Sequence, residues 1–296
     1  MQNLKISVVT VCYNMAPYIE QTMRSVLEQD YPNLEYIVID GGSTDGTQQI
    51  IERYRDKLAY YVSEPDSGMY DALAKGFAKA TGDVFAWLNA DDIYFPHTLK
   101  WVNEVFVQND DVRWLGGRYA FLNESGTVTK SFPKCNARRQ GDIQNGWCRN
   151  GVLGNLQQES MFWRSSLYKD AGGLNSSYRY AGDFELWTRF AQHSALARIK
   201  TPLAAFRIRR TSLSKSSNKF DEEVARIIEN KKQYPSFWWR AFERVQIIIQ
   251  LMRMMRYSKV VLFEYNKNSH SLVRHNTKLS ASNHTLWSLL TFKMPK

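Results

Sequence analysis

The chain has 296 residues with a formal net charge of +10, and 44% of them are hydrophobic. That length allows one sizeable α/β domain with an appendage, and the composition excludes a disordered chain. The three cysteines follow neither a CxxC nor a zinc-ligand spacing, and no segment approaches the ~18 consecutive apolar residues of a spanning helix. We therefore expect a globular protein of a reducing compartment.

The positive charge is concentrated near the C-terminus. Residues 220–296 hold 13 Lys/Arg against 6 Asp/Glu, a net of +7, whereas residues 1–219 hold 26 against 23. The N-terminal residues lack the basic region, apolar core and cleavage site of a signal peptide. The protein is therefore predicted to be cytoplasmic or peripheral, with any partner of its basic surface bound by the C-terminal part. No nucleic-acid partner is expected.

Short apolar strands alternate with amphipathic helices over the first ninety residues. This alternation predicts a doubly wound, mostly parallel α/β sheet with helices on both faces. The predicted strands are Ile6–Val11, Tyr36–Ile39, Tyr60–Val62 and Val84–Leu88, and the predicted helices are Pro17–Glu28, a segment from capping residues Ser43 and Thr44 through Tyr54, and Tyr70–Lys79.

A polar cluster follows each of these strands. Ligands of such sheets bind beyond the carboxyl ends of the strands, so the clusters are predicted to meet in one active site. The four clusters are Thr10–Asn14, Asp40–Asp45, Ser63–Gly68 and Asn89–Asp92.

The pattern changes after Asp92. The sequence predicts a helix over Leu99–Val107, a hairpin of Trp114–Leu122 with Val128–Phe132, and a helix over Asp183–Ala191. Residues 134–157 are polar and aperiodic, which predicts a loop over the site.

The pair Asp91-Asp92 is a candidate metal site at the end of the fourth strand. One or two carboxylates suffice to hold a divalent cation that also bridges phosphate oxygens of a ligand. An isolated Asp-Asp pair is more often a surface turn or a helix cap. Its sequence context therefore decides between the two readings.

Four segments in order resemble glycosyltransferase family 2, whose members have the GT-A fold. The likeness covers about residues 4–95 and continues more weakly to about 215, which predicts a catalytic domain over residues 1–215. The segments are VVTVCYN at 8–14, VIDGGSTDGT at 38–47, SEPDSGMYDALAKG at 63–76 and GDVFAWLNADD at 82–92.

The resemblance implies an enzyme that transfers a sugar from a nucleotide sugar, with UDP as the expected nucleotide and Mn²⁺ or Mg²⁺ as cofactor. It implies Asp92 as the metal ligand and Asp91 as a contact to ribose or sugar. Asn89 departs from a strict D-x-D motif, which leaves the full ligand set open. The other nucleotide-sugar-binding residues that the resemblance implies are Thr10, Tyr13, Asn14, Asp40, Asp66 and Asp71.

Inverting sugar transfer needs a base that deprotonates the acceptor hydroxyl. The resemblance places this base at Asp183, in the segment AGDFELW at 181–187, where many relatives carry a Glu in place of Gly182. Glu185 is the alternative base or an acceptor-side residue. Gln158 and Glu159 are further acceptor-side candidates, although a surface loop before a strand is equally compatible with their sequence.

Arg207 lies in a late segment that resembles the family's diphosphate-binding region. Relatives often carry a His there, whereas this chain has several arginines, which can pair bidentately with phosphate. A solvated basic loop is the alternative interpretation.

Two other enzyme classes fit the sequence less well. Asp40-Gly41-Gly42-Ser43 is not a G-x-G-x-x-G motif and follows the second strand, which disfavours a dinucleotide-dependent oxidoreductase. A sugar-1-phosphate nucleotidyltransferase should have a Gly-rich basic loop after the first strand, and VVTVCYNMAP lacks one. A non-catalytic binding relative is disfavoured by the intact Asp40, Asp92 and Asp183.

Residues 216–296 are predicted to form a basic helical extension. Within it, Trp238–Lys259 has a polar, Arg-containing stripe beside a broad apolar face. This pattern is typical of a helix at a membrane interface, and also of a helix docked on protein. Membrane contact would place the enzyme at the inner face of the cytoplasmic membrane, with a lipid-linked glycan of a bacterial surface polysaccharide as acceptor. The oligomeric state is not readable.

Overall fold

The computed structural model describes residues 2–131, 138–149, 154–209, 217–230, 259–266 and 271–278. The helix predicted over 238–259 lies outside these residues except for Lys259, which begins a strand. Within the described residues, no helix is long and apolar enough to cross a membrane.

The described chain forms thirteen strands and eight α-helices. The strands are β1 (Ile6–Cys12), β2 (Leu34–Asp40), β3 (Tyr60–Ser63), β4 (Val84–Trp87), β5 (Ile93–Tyr94), β6 (Trp114–Arg118), β7 (Ala120–Leu122), β8 (Val128–Ser131), β9 (Met161–Arg164), β10 (Ala197–Pro202), β11 (Ala204–Arg207), β12 (Lys259–Asn266) and β13 (Ser271–Lys278). The helices are α1 (Ile19–Leu27), α2 (Thr47–Glu52), α3 (Met69–Lys79), α4 (Thr98–Gln108), α5 (Gln140–Gln144), α6 (Ser165–Asp170), α7 (Gly182–His193) and α8 (Ser217–Asn230).

Nine strands form the main sheet, in the order β13-β12-β10-β6-β9-β4-β1-β2-β3. Five neighbouring pairs are parallel, and the three antiparallel pairs involve β9 and β13. The predicted mostly parallel α/β sheet is therefore confirmed. The carboxyl ends of β1, β2 and β4 lie at one edge, because these strands are consecutive parallel neighbours.

The core has two layers, one on each face of the sheet. In β1, Ile6 and Val8 pack with α1 and α4, while the alternate residues Val9 and Val11 pack with α3 and α7. This period-2 pattern is that of a strand covered on both faces. Four tryptophans of the second layer, with ring centroids 5.5–5.9 Å apart, pack the sheet against α7: Trp87, Trp114, Trp163 and Trp187.

A second, four-stranded sheet has the order β5-β11-β7-β8. The predicted hairpin is present only in part, because β7 pairs with β8 whereas β6 lies between β10 and β9 of the main sheet. Trp114 and Leu115 are wholly buried, which requires a strand covered on both faces. Residues 138–149 also differ from the predicted aperiodic loop, since they include α5, which packs on α7.

The start of α2 differs from the prediction as well. The helix begins at Thr47, and Asp45 Oδ1 accepts the Thr47 N–H at 3.0 Å, so Asp45 caps it instead of Ser43 or Thr44. Ser43 instead bonds to Asp40, below the site.

The C-terminal part contains the predicted helical structure in α8, but β12 and β13 differ from a wholly helical extension. These strands extend the main sheet, and Phe263 and Leu272 join the core layer that contains α4. Arg274 pairs with Asp111 at 2.6 Å beyond α4. Pairing at the sheet edge removes the apolar side chains of these strands from water, which favours strands over an undocked helix.

Candidate active site

The loops after β1 and β2 are joined through Asn14. The Asn14 N–H donates to Ser43 Oγ at 2.8 Å, and Asn14 Oδ1 accepts the Thr44 N–H at 2.9 Å. Asn14 has a φ of 53°, which asparagine tolerates better than most residues. Asn14 therefore shapes the rim of the predicted nucleotide pocket by holding the two loops together.

Tyr13 and Thr10 have opposite environments. Tyr13 is 61% exposed, and its ring is available at the rim to stack on a base. Thr10 is fully buried, and its Oγ1 accepts the hydroxyl of Tyr36 at 3.0 Å. The Thr10 side chain thus points into the core, and the contact of Thr10 with the nucleotide stays a prediction.

Asp40 lies under the rim with both carboxylate oxygens engaged. It accepts bonds from the Ser43 N–H at 2.9 Å and from Ser63 Oγ at 2.5 Å, and it also accepts the Ser43 hydroxyl. The thiol of Cys12 lies 3.4 Å from Asp40. Burial of the thiol, together with the charge of this carboxylate, raises the pKa of Cys12. A bond from Asp40 to a base, as predicted, requires one of these internal bonds to be exchanged.

Asp66 and Asp71 order the loop that begins α3. Asp66 Oδ1 accepts the Gly68 N–H at 2.7 Å, and Asp71 Oδ2 accepts the Ser67 N–H at 3.0 Å. The second oxygen of Asp66 lies against Gly41, where an added Cβ would be 2.5 Å from it. Glycine at 41 therefore lets this carboxylate approach the loop after β2, next to Tyr13.

Asp92 is buried beneath the loop after β4. Its Oδ1 accepts the backbone N–H of Arg207 at 2.8 Å, which ties this loop to β11. Burial, followed by the charges of Asp91 and Glu159, raises the pKa of Asp92 well above its usual value. Asp91 is the more exposed of the pair, and its Oδ2 accepts the Nε–H of Arg209 at 2.6 Å.

The Arg207 side chain is buried among acceptors from several segments of the chain. Its Nε donates to the carbonyl of Asp91 at 2.6 Å, and its Nη2 donates to Gln21 at 2.6 Å. Its Nη1 donates to the carbonyl of Glu124 at 3.1 Å, and the guanidinium lies over the ring of Tyr18. These donors join the loops at Asp91 and Glu124 to helix α1, and nucleotide-sugar binding by Arg207 stays a prediction.

A divalent cation fits the oxygen donors of this loop. Asn89 Oδ1 is buried and has no hydrogen-bond partner in the described structure, and Asp91 is the less deeply buried of the two carboxylates. Such a site needs few protein oxygens when phosphates supply the others. Within the described residues, no group of three or more His, Cys, Asp or Glu could hold a metal alone. Asp91 and Asn89 are therefore candidate ligands beside Asp92, whose role as metal ligand stays a prediction.

Asp183 stands at the first turn of α7 against Tyr70. The Tyr70 hydroxyl lies 3.2 Å from Asp183 Oδ1 and accepts the Asp183 N–H at 3.1 Å. Burial is the largest cause that raises the pKa of Asp183 to about 6. Gly182 allows this approach, because an added Cβ would lie 2.8 Å from the Tyr70 ring.

Glu185, the alternative base, is committed to an ion pair. Its two oxygens accept bonds from Arg189 at 2.7 and 2.6 Å, and Arg189 also donates to the carbonyl of Gly173 at 2.6 Å. Glu185 therefore secures the turn after α6. The arrangement favours Asp183 as the base.

Gln158 and Glu159 lie between the Asp91 loop and Asp183. Gln158 donates to the carbonyl of Trp87 at 2.7 Å and accepts the Asn89 amide at 3.2 Å, so it holds Asn89 in place. Burial is the main cause that raises the pKa of Glu159 to about 8, and the charges of Asp183 and Asp91 also raise it. Gln158 and Glu159 therefore lie between the loop after β4 and Asp183.

A small pocket with a volume of about 10 Å³ lies beside Asp183. Its walls are largely apolar and come from α5, α7, α8 and the segment before β9. Lining residues include Ile143, Leu156, Asp183, Phe184, Trp187 and Phe220. The walls are apolar and aromatic with one carboxylate, and the volume is about that needed for a single water molecule.

Three site residues were not identified from the sequence: Tyr70, Arg209 and Glu223. Tyr70 belongs to the segment SEPDSGMYDALAKG, so its position was known but its contact with Asp183 was not. Arg209 was part of the arginine cluster, without a partner assigned. Glu223 had no signal, because its bonds join segments more than 40 residues apart.

The fold is similar to those of solved glycosyltransferases. TarS residues 1–349 of S. aureus, in complex with UDP-GlcNAc, superpose with a TM-score of 0.61 at 21% identity, covering 86% of this chain and 73% of that one. The mannosyltransferase PcManGT of Pyrobaculum calidifontis, in complex with GDP-Man and Mn²⁺, gives 0.58 at 19% identity, covering 86% and 72%. At these identities the likeness shows the fold.

Sequence relatives carry the same class name. A glycosyltransferase of Haemophilus influenzae described as uncharacterized is 25% identical over 302 aligned residues, 99% of this chain and 91% of the relative. The putative teichuronic acid biosynthesis glycosyltransferase TuaG of Bacillus subtilis is 32% identical over 130 residues, 43% of this chain and 51% of TuaG.

The protein is a glycosyltransferase enzyme, as its family model and its named relatives show, and its sheet has the corresponding GT-A-type fold. The sequence model of glycosyl transferase family 2 matches residues 7–170, more than half of the chain. The chain belongs to this family, and the resemblance of its four motifs is confirmed.

Proposed function

We propose that the protein transfers a sugar from a nucleotide sugar to an acceptor hydroxyl with inversion, and that Asp183 is the general base. The observation that carries the proposal is the placement of Asp183 beside the pocket, held by Tyr70, with a pKa of about 6. A base whose pKa lies near neutrality is ionised at physiological pH and still accepts a proton readily.

The reaction requires one bond to form as another breaks. The acceptor oxygen attacks the anomeric carbon and gives its proton to Asp183. The bond between the anomeric carbon and the diphosphate oxygen breaks, and the diphosphate leaves with the electron pair. The attack comes from the face opposite the leaving group, which inverts the anomeric configuration.

The donor is proposed to bind across the loops after β1, β2 and β4. Tyr13 offers a ring for the base, and Asp66 offers a carboxylate oxygen beside Gly41. The TarS complex contains UDP-GlcNAc and the PcManGT complex contains GDP-Man, so a nucleotide sugar is the donor class we infer, with UDP as the proposed nucleotide.

Asp91 and Asn89 are the proposed holders of Mn²⁺ or Mg²⁺. When bound, the cation would neutralise charge that develops on the leaving diphosphate. Asp92 and Gln158 position this loop. Asp92 accepts the backbone N–H of Arg207, and Gln158 accepts the side-chain amide of Asn89.

The acceptor is proposed to be a lipid-linked glycan handled at the inner face of the cytoplasmic membrane. The support is the +7 charge of residues 220–296 and a relative named for teichuronic acid biosynthesis.

A donor panel tests the proposal. Release of nucleoside diphosphate is measured with UDP-GlcNAc, UDP-Glc, UDP-Gal and GDP-Man in the presence of Mn²⁺. Asp183→Asn, which cannot accept the proton, should lower kcat by roughly 10²–10⁴ with little change in UDP affinity.

Glu185→Gln is the matched control, because it removes a charge from the same helical turn. It should affect stability more than kcat, since Glu185 holds Arg189. If Glu185→Gln causes the large loss of kcat and Asp183→Asn does not, the assignment of the base is wrong. If wild type releases no diphosphate from any donor, the proposed activity fails.

A further inference from the structure

Helix α8 supplies a buried carboxylate to the segment that leads into α7. Glu223 Oε1 accepts the backbone N–H of Arg179 at 2.9 Å, and Oε2 accepts those of Tyr180 and Ala181, each at 2.8 Å. Glu223 is only 5% exposed. Hydrogen bonds to a charged acceptor are stronger than neutral ones, so three of them fix the path of this backbone.

The face of α8 that carries Glu223 also packs on the start of α7. Val224 and Ile227 form a buried cluster with Ala181 and Phe184. Phe220, one turn earlier, packs against this cluster and lines the pocket beside Asp183. Because these positions recur every three or four residues, a single face of α8 makes all the contacts.

The start of α7 obtains this stabilisation from a distant part of the chain. Ala181, at the N-cap position, makes no side-chain cap bond, and a local Ser or Asp could cap a helix without any second element. Here the acceptor for the amides of 179–181 comes from a residue more than 40 positions later. The segment before Asp183 is therefore held by α8 as well as by Tyr70, whose hydroxyl contacts Tyr180 and Asp183.

We propose that Glu223 is a positioning residue for Asp183, so that α8 is part of the active site. The inference rests on the proposed role of Asp183 as the base. Asp183 lies two residues beyond Ala181, and a base must lie within about 2.6–3.2 Å of the proton it accepts. A displacement of about 1 Å at a reacting group can lower the rate by about 10²-fold.

The test uses the full chain and three variants. Glu223→Ala removes all three backbone bonds, and Glu223→Gln keeps one carbonyl oxygen that can accept some of them. Glu222→Ala is the matched control, because Glu222 is exposed on the same helix and carries the same charge. The readouts are nucleoside diphosphate release from the preferred donor of the panel, UDP affinity by calorimetry, and thermal stability.

Glu223→Ala should lower kcat by about 10–100-fold, with KM for the donor and UDP affinity within about twofold of wild type. Glu223→Gln should recover part of the lost kcat, and Glu222→Ala should match wild type. This split is expected because the donor binds at the strand ends, whereas Glu223 acts on the base.

Two results would overturn the inference. One is a kcat of Glu223→Ala equal to that of wild type. The other is a parallel loss of kcat, UDP affinity and thermal stability without recovery in Glu223→Gln, which would identify a purely structural residue. An absence of diphosphate release by wild type would instead contradict the proposed function, so the two failures are distinguishable.

Discussion

Arg209 donates its Nε–H to the carboxylate of Asp91 at 2.6 Å, and both side chains are about nine-tenths buried. The most accessible acidic group of the Asn89–Asp92 loop is thus neutralised by an arginine of the same chain. A divalent cation at Asp91 must compete with this guanidinium, which also lies over the ring of Tyr18.

Removal of this competitor should therefore strengthen metal binding. Arg209→Gln is expected to bind Mn²⁺ alone about 10-fold more tightly than wild type, equivalent to about 1.4 kcal/mol. Calorimetry without nucleotide measures the effect. Arg24→Gln, which breaks an exposed pair with Glu28, is the control and should leave the affinity unchanged. Equal or weaker Mn²⁺ binding by Arg209→Gln would contradict a metal site at Asp91.

Activity should follow the ionisation of Asp183. Because the pKa of Asp183 is raised to about 6 and the base works only when deprotonated, kcat should rise with pH through about 6 and then level off. A pH–rate profile between pH 5 and 8 measures this rise in kcat. Tyr70→Phe removes a hydroxyl that lowers the pKa of Asp183, so the rise in kcat should move to higher pH. A kcat that is independent of pH across this range would exclude Asp183 as the base.

The same pKa predicts that Asp183 destabilises the fold at neutral pH. The folded-state pKa of Asp183 exceeds the ordinary value of 3.8, so ionising this carboxyl costs more in the folded chain than in the unfolded chain. The stability is therefore fully present below about pH 4, where the carboxyl is protonated in both states, and is lost as pH rises through about 6. A difference of this size corresponds to an upper limit of about 3 kcal/mol. Asp183→Asn should therefore unfold at higher denaturant concentration than wild type at pH 7.5, with a smaller difference at pH 4. A less stable Asp183→Asn at pH 7.5 would contradict this.

The positions of the strands were predictable from sequence. The motif resemblance, however, carries no information on the direction of the side chains at the strand ends. Buried apolar runs placed β1 to β4 within about two residues. Thr10 shares the parity of Val8 and Cys12 in β1, so strand alternation alone assigns it to the core. The motif resemblance suggested a ligand contact for Thr10. A family motif specifies which residues occur and in what order, but it does not specify where their side chains point.

Long-range polar contacts were beyond the reach of the sequence. Arg207 is buried because its guanidinium donates to carbonyl and amide oxygens from two loops and from helix α1, and no local sequence pattern indicates such partners. The same holds for Glu223 and for Arg209. The residues on short motifs, Asp91 and Asp183, were identified because a motif places them at a strand end or a helix start.

The roles of Asp91 and Asp92 can be separated by isosteric variants. Asp92→Asn keeps the oxygen that accepts the Arg207 N–H, so the fold and Mn²⁺ binding should be largely retained. Asp92→Ala leaves that buried N–H without an acceptor and should cost about 1–3 kcal/mol of stability. Asp91→Asn should lose metal-dependent UDP binding while the fold is retained. If Asp92→Asn abolishes Mn²⁺ binding and Asp91→Asn does not, Asp92 is the metal ligand, as the motif first implied.

The basic segment between α8 and β12 is the proposed membrane contact. Both neighbouring elements pack on the described domain, since α8 contacts α7 and β12 pairs with β10. A membrane bound by residues 231–258 would therefore lie next to the described domain. Attraction to anionic lipid contributes about 1 kcal/mol per basic residue near the surface, and salt weakens it.

Wild type should float with liposomes that contain anionic lipid, float much less with neutral liposomes, and be released by added salt. Changing Arg240, Arg244, Arg253 and Arg256 to Gln should abolish flotation while diphosphate release in solution is retained. Arg24→Gln serves as the surface-charge control. Docking on protein would depend little on lipid charge but would need the apolar face of the segment. If wild type ignores anionic liposomes and Phe242→Asp or Ile249→Asp unfolds the enzyme, the segment is a structural element and the membrane proposal fails.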